Sequence, residues 1–326
     1  MLFSSAAMVL GFAADLIFGD PAVFPHPVVG IGKLIDFAEK VFRRIFPCTV
    51  LGENMAGACI WIFTAGLTTC IAAGILVLCY RVHAALGLAA ETVMCWQILA
   101  TKSLKKESMK VYDALEHGTL SDGRRAVSMI VGRDTAELSD EGVTKAAVET
   151  VAENTSDGIV APLLFIALFG AAGGFFYKAV NTMDSMLGYV EPPYKNVGLV
   201  PAKMDDFANF VPARLAAIFM LAAGALLGMD AERGWQIFRR DRMKHASPNS
   251  AQTESVCAGL LGLQLAGNAC YHGVLHEKPF IGDPVYEIEH EDIRRACSLM
   301  YGTAAVALAA CCVLRAAMVL CIAALL

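Results

Sequence analysis

Apolar and polar positions in this chain fall into long separate blocks. Residues 55–80 read MAGACIWIFTAGLTTCIAAGILVLCY without one charge, and a membrane span needs roughly 20 such residues. Residues 302–326 are nearly as uniform, interrupted only at Arg315. Residues 212–229 and 160–177 are shorter, 1–19 carries Asp15 near its end, and 84–100 is amphipathic with Glu91. Residues 256–271 are apolar but short, which suits a packed or interfacial helix. The pattern predicts four to seven spans and an all-α, polytopic integral membrane fold. MLFSSAAMVLGFAADLIFG lacks the basic start of a cleaved leader and reads as a retained first helix.

Three polar regions separate the apolar blocks. Residues 101–157 carry helical periodicity with Ser and Asp starts, predicting two or three helices. One of them, TKSLKKESMKVYDALEHG, is basic and ends at Gly118. Residues 178–212 and 230–301, rich in Pro, Asn, Asp and Gly, read as irregular. The organisation expected is a single membrane-embedded domain, 1–326, with cytoplasmic helical insertions at 101–157 and 230–301. Lys and Arg number eight in 101–157, eight in 230–301 and three in 178–211. The two basic regions are therefore assigned to the cytoplasm of a cell-membrane protein.

Composition agrees with this class. The chain is 56% hydrophobic and 17% charged, with mean hydropathy +0.55, against about 45–50% and 25% in soluble domains. A net charge of -5 argues against a nucleic-acid partner. The eleven cysteines include no C-x-x-C, and most lie in apolar runs, so neither a disulfide framework nor a zinc site is expected.

Four polar clusters abut apolar segments. The first, GDPAVFPHPVVGIGKLI, holds Asp20 and His26 in a proline-rich loop. The second, ETVAENTSDGIVAP, places Glu149, Glu153 and Asp157 within about a quarter of a helix circumference, with Asn154 nearby. Like charges at this spacing destabilise a helix, and at a membrane edge they need pairing or ligation. The third runs from Asn181 to Arg214 and contains Asp184, Lys203, Asp205, Asp206 and Asn209. The fourth, RRDRMKHASPNSAQTE, combines Arg239, Arg240 and His245 with a turn at Ser247 and Asn249, then Glu254. The second and third supply hard oxygen ligands suited to magnesium, with Glu153, Asp157, Asp205 and Asp206 as metal candidates. The fourth supplies cations and turn amides suited to phosphate. No Walker A loop, H-E-x-x-H, G-x-G-x-x-G or nucleophile elbow is present. Bottom-up, the residues reach a membrane enzyme handling phosphate with a divalent metal. If the second and third clusters share one site, 160–177 must turn back on itself, and Gly170, Gly173 and Gly174 are where it would bend.

Taken together and in order, GDPAVFPHPVVGIG, ETVAENTSDGIVAPL, NTMDSMLGY with DDFANFVPARL, and RDRMKHASPNSAQTE resemble the cobalamin-biosynthesis CobD/CbiB family nearly end to end. Only 36–100 and the C-terminal helix correspond by hydrophobicity alone. The resemblance implies adenosylcobinamide-phosphate synthase activity. Such an enzyme uses ATP and Mg2+ to join adenosylcobyric acid to (R)-1-amino-2-propanol phosphate, or its ethanolamine analogue, as an amide. It implies catalytic or metal work for Glu149, Glu153, Asn154, Asp157, Asp184, Asp205 and Asp206. Substrate and phosphate contacts would fall to Asp20, His26, Asn181, Lys203, Asn209, Arg214, Arg239, Arg240, His245, Ser247, Asn249 and Glu254. Expected partners are the corrinoid, the aminoalcohol phosphate, membrane lipid and other late-pathway membrane enzymes, with no nucleic acid. The rival readings are a transporter, which would carry charges inside its spans, and a non-catalytic scaffold for corrinoid enzymes.

Overall fold

The computed structural model describes residues 2–21, 26–189, 191–271 and 273–325. Residues 22–25 of the first proline-rich loop, Pro25 among them, lie outside the described residues. Among those described, five helical runs are long and apolar enough to cross a membrane: Val50–Val82, Ala84–His117, Asp140–Leu187, Leu199–Leu226 and Glu291–Ala324. The protein is a helical, polytopic membrane protein. It divides into two compact units. The first contains Met1–Ala100, Ala161–Asn209 and Ala310–Leu326; the second contains Thr101–Val160 and Phe210–Ala309. The two regions read from sequence as insertions both belong to the second.

The first unit is built on helices α1 (Leu2–Phe18), α2 (Pro27–Ile45), α3 (Val50–Val82), α4 (Ala84–Ile98) and α8 (Ala161–Leu187). Proline at the first position of α2 loses no helical hydrogen bond, and the His26 side chain accepts from the Val28 amide to cap it. Ile31 and Ile35 of α2, Ile60 of α3, and Val180 and Met183 of α8 form the core of this unit.

Helix α8 does not run straight. Gly170 takes φ 70° and ψ -171°, a combination open essentially to glycine alone. The ring of Phe165 lies 5.1 Å from that of Tyr177 and 6.2 Å from that of Phe176. The chain has folded into a helical hairpin with Gly170 at its tip, the reversal expected at this glycine cluster. Such a tip exposes the last carbonyls of the first arm. Arg315, 4% exposed, donates to the carbonyls of Ile166 (3.3 Å) and Ala167 (3.0 Å), and its Nε donates to Ser5 Oγ at 2.9 Å. Glu91 is held nearby by Ser4 and Tyr80, each donating at 2.6 Å. Two of the three ionisable residues noted inside apolar blocks, Glu91 and Arg315, thus sit in the packing around this reversal.

The second unit holds α5 (Thr101–His117), α6 (Leu120–Ser128), α7 (Asp140–Thr155), α10 (Ala231–Asp241) and α11 (Ser250–Leu261). Two or three helices are expected in 101–157, and three are present. A reciprocal Thr119–Asp122 capping box starts α6, and Ser139 caps α7. A π turn, Ser156–Val160, follows α7 directly.

Three expectations need correction. Residues 178–212 are mostly helical: α8 extends to Leu187 and α9 spans Leu199–Leu226. The polar residues there line helix faces, where tertiary hydrogen bonds satisfy them. Residues 230–301 are ordered too, carrying α10, α11, the start of α12 (Glu291–Leu325) and four three-residue strands. Strands β1 (Gln264–Ala266) and β4 (Phe280–Gly282) pair antiparallel, as do β2 (Ala269–Tyr271) and β3 (Val274–His276). Finally, the helix expected over 256–271 begins earlier and stops at Leu261. Gly262, left-handed at φ 70°, terminates it, and β1 and β2 take the remainder.

Candidate functional site

A cavity of about 180 Å³ lies within the second unit. Its lining includes Arg133, Glu149, Thr150, Glu153, Asn154, His245, Glu254, Ala266, Gly267 and Lys278. Helix α7 supplies Glu149, Glu153 and Asn154, α11 supplies Glu254, and the short strands bring Ala266 to its edge. Two acids one turn apart on α7 repel each other, and the structure fixes each with donors. Arg133 pairs with Glu149 Oε2, and the Ala266 amide donates to Oε1 at 2.6 Å. Ala266 adopts a left-handed φ of 57°, a conformation non-glycine residues keep only when their surroundings compel it. Ser250 Oγ donates to Glu153 Oε1 at 2.7 Å.

Glu254 is 5% exposed. Burial first, and then the charges of Glu153 and Glu149, push its carboxyl well above the usual carboxylate range, against the opposing pull of Arg133 and Lys278. Burial also lowers His245 below its ordinary value, with Lys278 adding to this and Glu153 opposing it. The Ser-Pro-Asn turn works as scaffolding beside the cavity. His245 Nδ1 accepts from the Ser247 amide at 3.1 Å, and Ser247 Oγ accepts from the Asn249 amide at 3.2 Å. Arg214 donates to Asn249 Oδ1 at 3.2 Å and to the Phe210 carbonyl at 2.6 Å.

Other expected residues of this unit lie elsewhere. Asp157 stands on the π turn that follows α7. It is not among the cavity lining. Arg240 is committed to Asp241 (2.7 and 2.8 Å) and Asp283, while Arg239 is exposed. Asp241 is fully buried; burial pushes it up, but Arg240, Lys244 and the Gly282 amide outweigh this and hold it at about 2.

The first unit has its own acid-amide cluster. Asp205 accepts from Asn209 (3.0 Å) and Asn181 (3.5 Å), and Asn209 Oδ1 accepts from Tyr177 at 2.8 Å. The charge of Asp184 acts on Asp205. Lys203 is 3.8 Å from Asp206, and Asp20 is 3.5 Å from His26. Among the described residues no group of three or more His, Cys, Asp or Glu forms an all-protein metal cage. Magnesium needs one or two carboxylates plus substrate phosphates. The donor chemistry of Glu153 in one unit, and of Asp205 and Asp206 in the other, fits that mode.

Arg133 and Lys278 were not anticipated. Each sits in an irregular segment beside Gly or Pro, GRDT and HEKPF, with no periodicity to mark it. A charged residue in a turn is ordinarily solvated, and only the tertiary fold turns these two inward.

Comparison with known proteins agrees with the motif order. The family model described as CobD/Cbib protein matches residues 8–300. The Cobalamin biosynthesis protein CobD of Geobacter metallireducens is 44% identical over 302 residues, covering 93% of this chain and 94% of that protein. The CobD of Streptococcus sanguinis is 42% identical, over 90% of this chain and 92% of its own. The Cobalamin biosynthesis protein CbiB of Salmonella arizonae is 43% identical, over 93% and 95%. No solved structure matches.

Proposed function

Because this chain belongs to the CobD/CbiB family, we propose that it acts in cobalamin biosynthesis as an ATP-dependent acid–amine ligase, an adenosylcobinamide-phosphate synthase. The observation carrying the reading is the cavity that sets Glu149, Glu153 and Glu254 beside Arg133, His245 and Lys278. Carboxylates do not condense with amines unaided. In the proposed sequence, a carboxylate oxygen of adenosylcobyric acid bonds to the γ-phosphorus of ATP as the bond to ADP breaks. The nitrogen of the aminoalcohol phosphate then bonds to the acyl carbon, and the C–O bond to the leaving phosphate breaks. The ammonium proton passes to a base.

Glu149, with both oxygens already accepting, suits a positioning role; Glu153 keeps Oε2 for substrate or metal. Magnesium bound with the nucleotide would neutralise phosphate charge, held either by Glu153 or Asp157 of the second unit or by Asp205 and Asp206 of the first. The membrane is the cell membrane, with the reacting groups on the basic, cytoplasmic side. The test is turnover by the detergent-purified protein. Adenosylcobyric acid and aminopropanol phosphate should give the amide only when ATP and magnesium are both present. No amide from the native protein under those conditions would overturn the reading.

A further inference from the structure

Within the second unit, three contacts fix how α5 meets the start of α12. Lys105 Nζ stands 5.1 Å from the centre of the Tyr301 ring, and the Arg294 guanidinium lies 5.5 Å from that of Tyr112. His290, just before α12, meets Glu116 at 2.8 Å. The steps from 105 to 112 to 116 on α5 equal those from 301 to 294 to 290 on the other side. That is the register of two antiparallel helices, each rising about 1.5 Å per residue.

From Gly302 onward α12 carries no charge except Arg315. Tyr301 therefore marks the edge of its membrane segment, a level at which tyrosine is enriched. The register transfers that level to Lys105 on α5, while Glu116 and His290 stand about 16 Å farther out. Positive charge is concentrated at the marked level. Lys102, Lys105, Lys106 and Lys110 lie within about 8 Å of it along the axis and within about 140° of the helix circumference. Thr101, Ser108 and Val111 take the buried face of α5, and Lys105, Lys106 and Lys110 are exposed. Residues 101–112 hold a single acid, Glu107, which pairs with Lys110 at 2.7 Å. Four lysines against one glutamate leave a positive excess within about one Debye length of the boundary. An ordinary soluble face intersperses both signs, whereas a basic set at a bilayer edge complements a negative head-group layer.

We propose that the lysine face of α5 docks on the head groups of anionic phospholipids, with Lys105 and Tyr301 at the boundary between hydrocarbon and head groups. The group recognised is the lipid phosphodiester. Lysine ammoniums meet it as point charges, without the fixed fork of arginine, so the surface selects charge over head-group shape.

The test places the full-length protein in phosphatidylcholine bilayers containing traces of spin-labelled phosphatidylglycerol or spin-labelled phosphatidylcholine. The native protein should retain phosphatidylglycerol about threefold or more over phosphatidylcholine at low salt, and the ratio should shrink in about 0.5 M NaCl. Changing all four lysines to glutamine should lower the ratio about twofold or more, whereas changing them to arginine should keep it. Position is read separately, in a background lacking the accessible native cysteines. A fluorophore at Lys106→Cys should be quenched by lipid spin-labelled on its head group. One at the exposed His117→Cys, about 16 Å farther out, should not. Equal retention of the two lipids by the native protein overturns the proposal, as does an unchanged ratio in the glutamine variant. Equal loss in the glutamine and arginine variants, or equal quenching at the two positions, overturns it as well.

Discussion

The rings of Phe165 and Tyr177 stack 5.1 Å apart, although twelve residues of unbroken helix would separate them by about 18 Å. That contact exists because the backbone reverses at Gly170. An alanine there would carry a Cβ 3.1 Å from Glu91 Oε1 and 3.4 Å from Ser4 Oγ. It would also be strained at φ 70°. Gly170→Ala should destabilise the protein by about 1–3 kcal/mol, measured as a lowered thermal midpoint in detergent. An unchanged midpoint would show that the hairpin tip is not as described.

Arg315 reaches the same reversal from α12. Arg315→Leu removes the donors to the Ile166 and Ala167 carbonyls and should cost about 2–4 kcal/mol, with Arg315→Lys intermediate. Thermal unfolding of the two variants, side by side, checks the order.

Sidedness offers a separate test of the reversal at Gly170. Single cysteines at Ser185 and Ser121, in a background lacking the accessible native cysteines, should react with a membrane-impermeant maleimide from the same side. Labelling from opposite sides would mean that 160–177 crosses the membrane once.

Acid should weaken the fold through Asp241. Its folded value of about 2 lies below the ordinary 3.8, so its contribution is full above pH 3.8 and disappears as pH falls toward 2. That depression corresponds to about 2 kcal/mol. Asp241→Asn should lower the thermal midpoint at pH 6 and flatten the loss between pH 4 and 2. A native-like acid profile in the variant would count against the triad of Arg240, Lys244 and the Gly282 amide.

Turnover separates the carboxylates. Glu153→Gln should lower kcat by about a hundredfold or more if Glu153 binds metal or moves a proton. Glu149→Gln should act through Arg133, with a smaller loss. For Asp157→Asn and Asp205→Asn, undiminished turnover would remove each from the metal set.

What the chain determined alone was everything carried by block composition and local spacing. Residues 55–80 declare a span because no charge interrupts them, and α5 and α7 announce themselves through periodicity and Ser or Gly boundaries. The motifs from Glu149 to Asn154 and from His245 to Glu254 were legible because acids and amides are costly at apolar edges. Tertiary structure decided which of those residues meet. Local spacing does not tell that Asp157 stays outside the cavity lining, nor that Arg240 is taken by Asp283, 43 positions away. Arg133 and Lys278 carry no local signal, since a basic residue in a turn looks the same in sequence whether it faces solvent or a cavity. Local spacing encodes helices because their hydrogen bonds are local. A site is assembled by contacts over a hundred residues apart, such as Glu149 with Ala266, and only the packed chain specifies those.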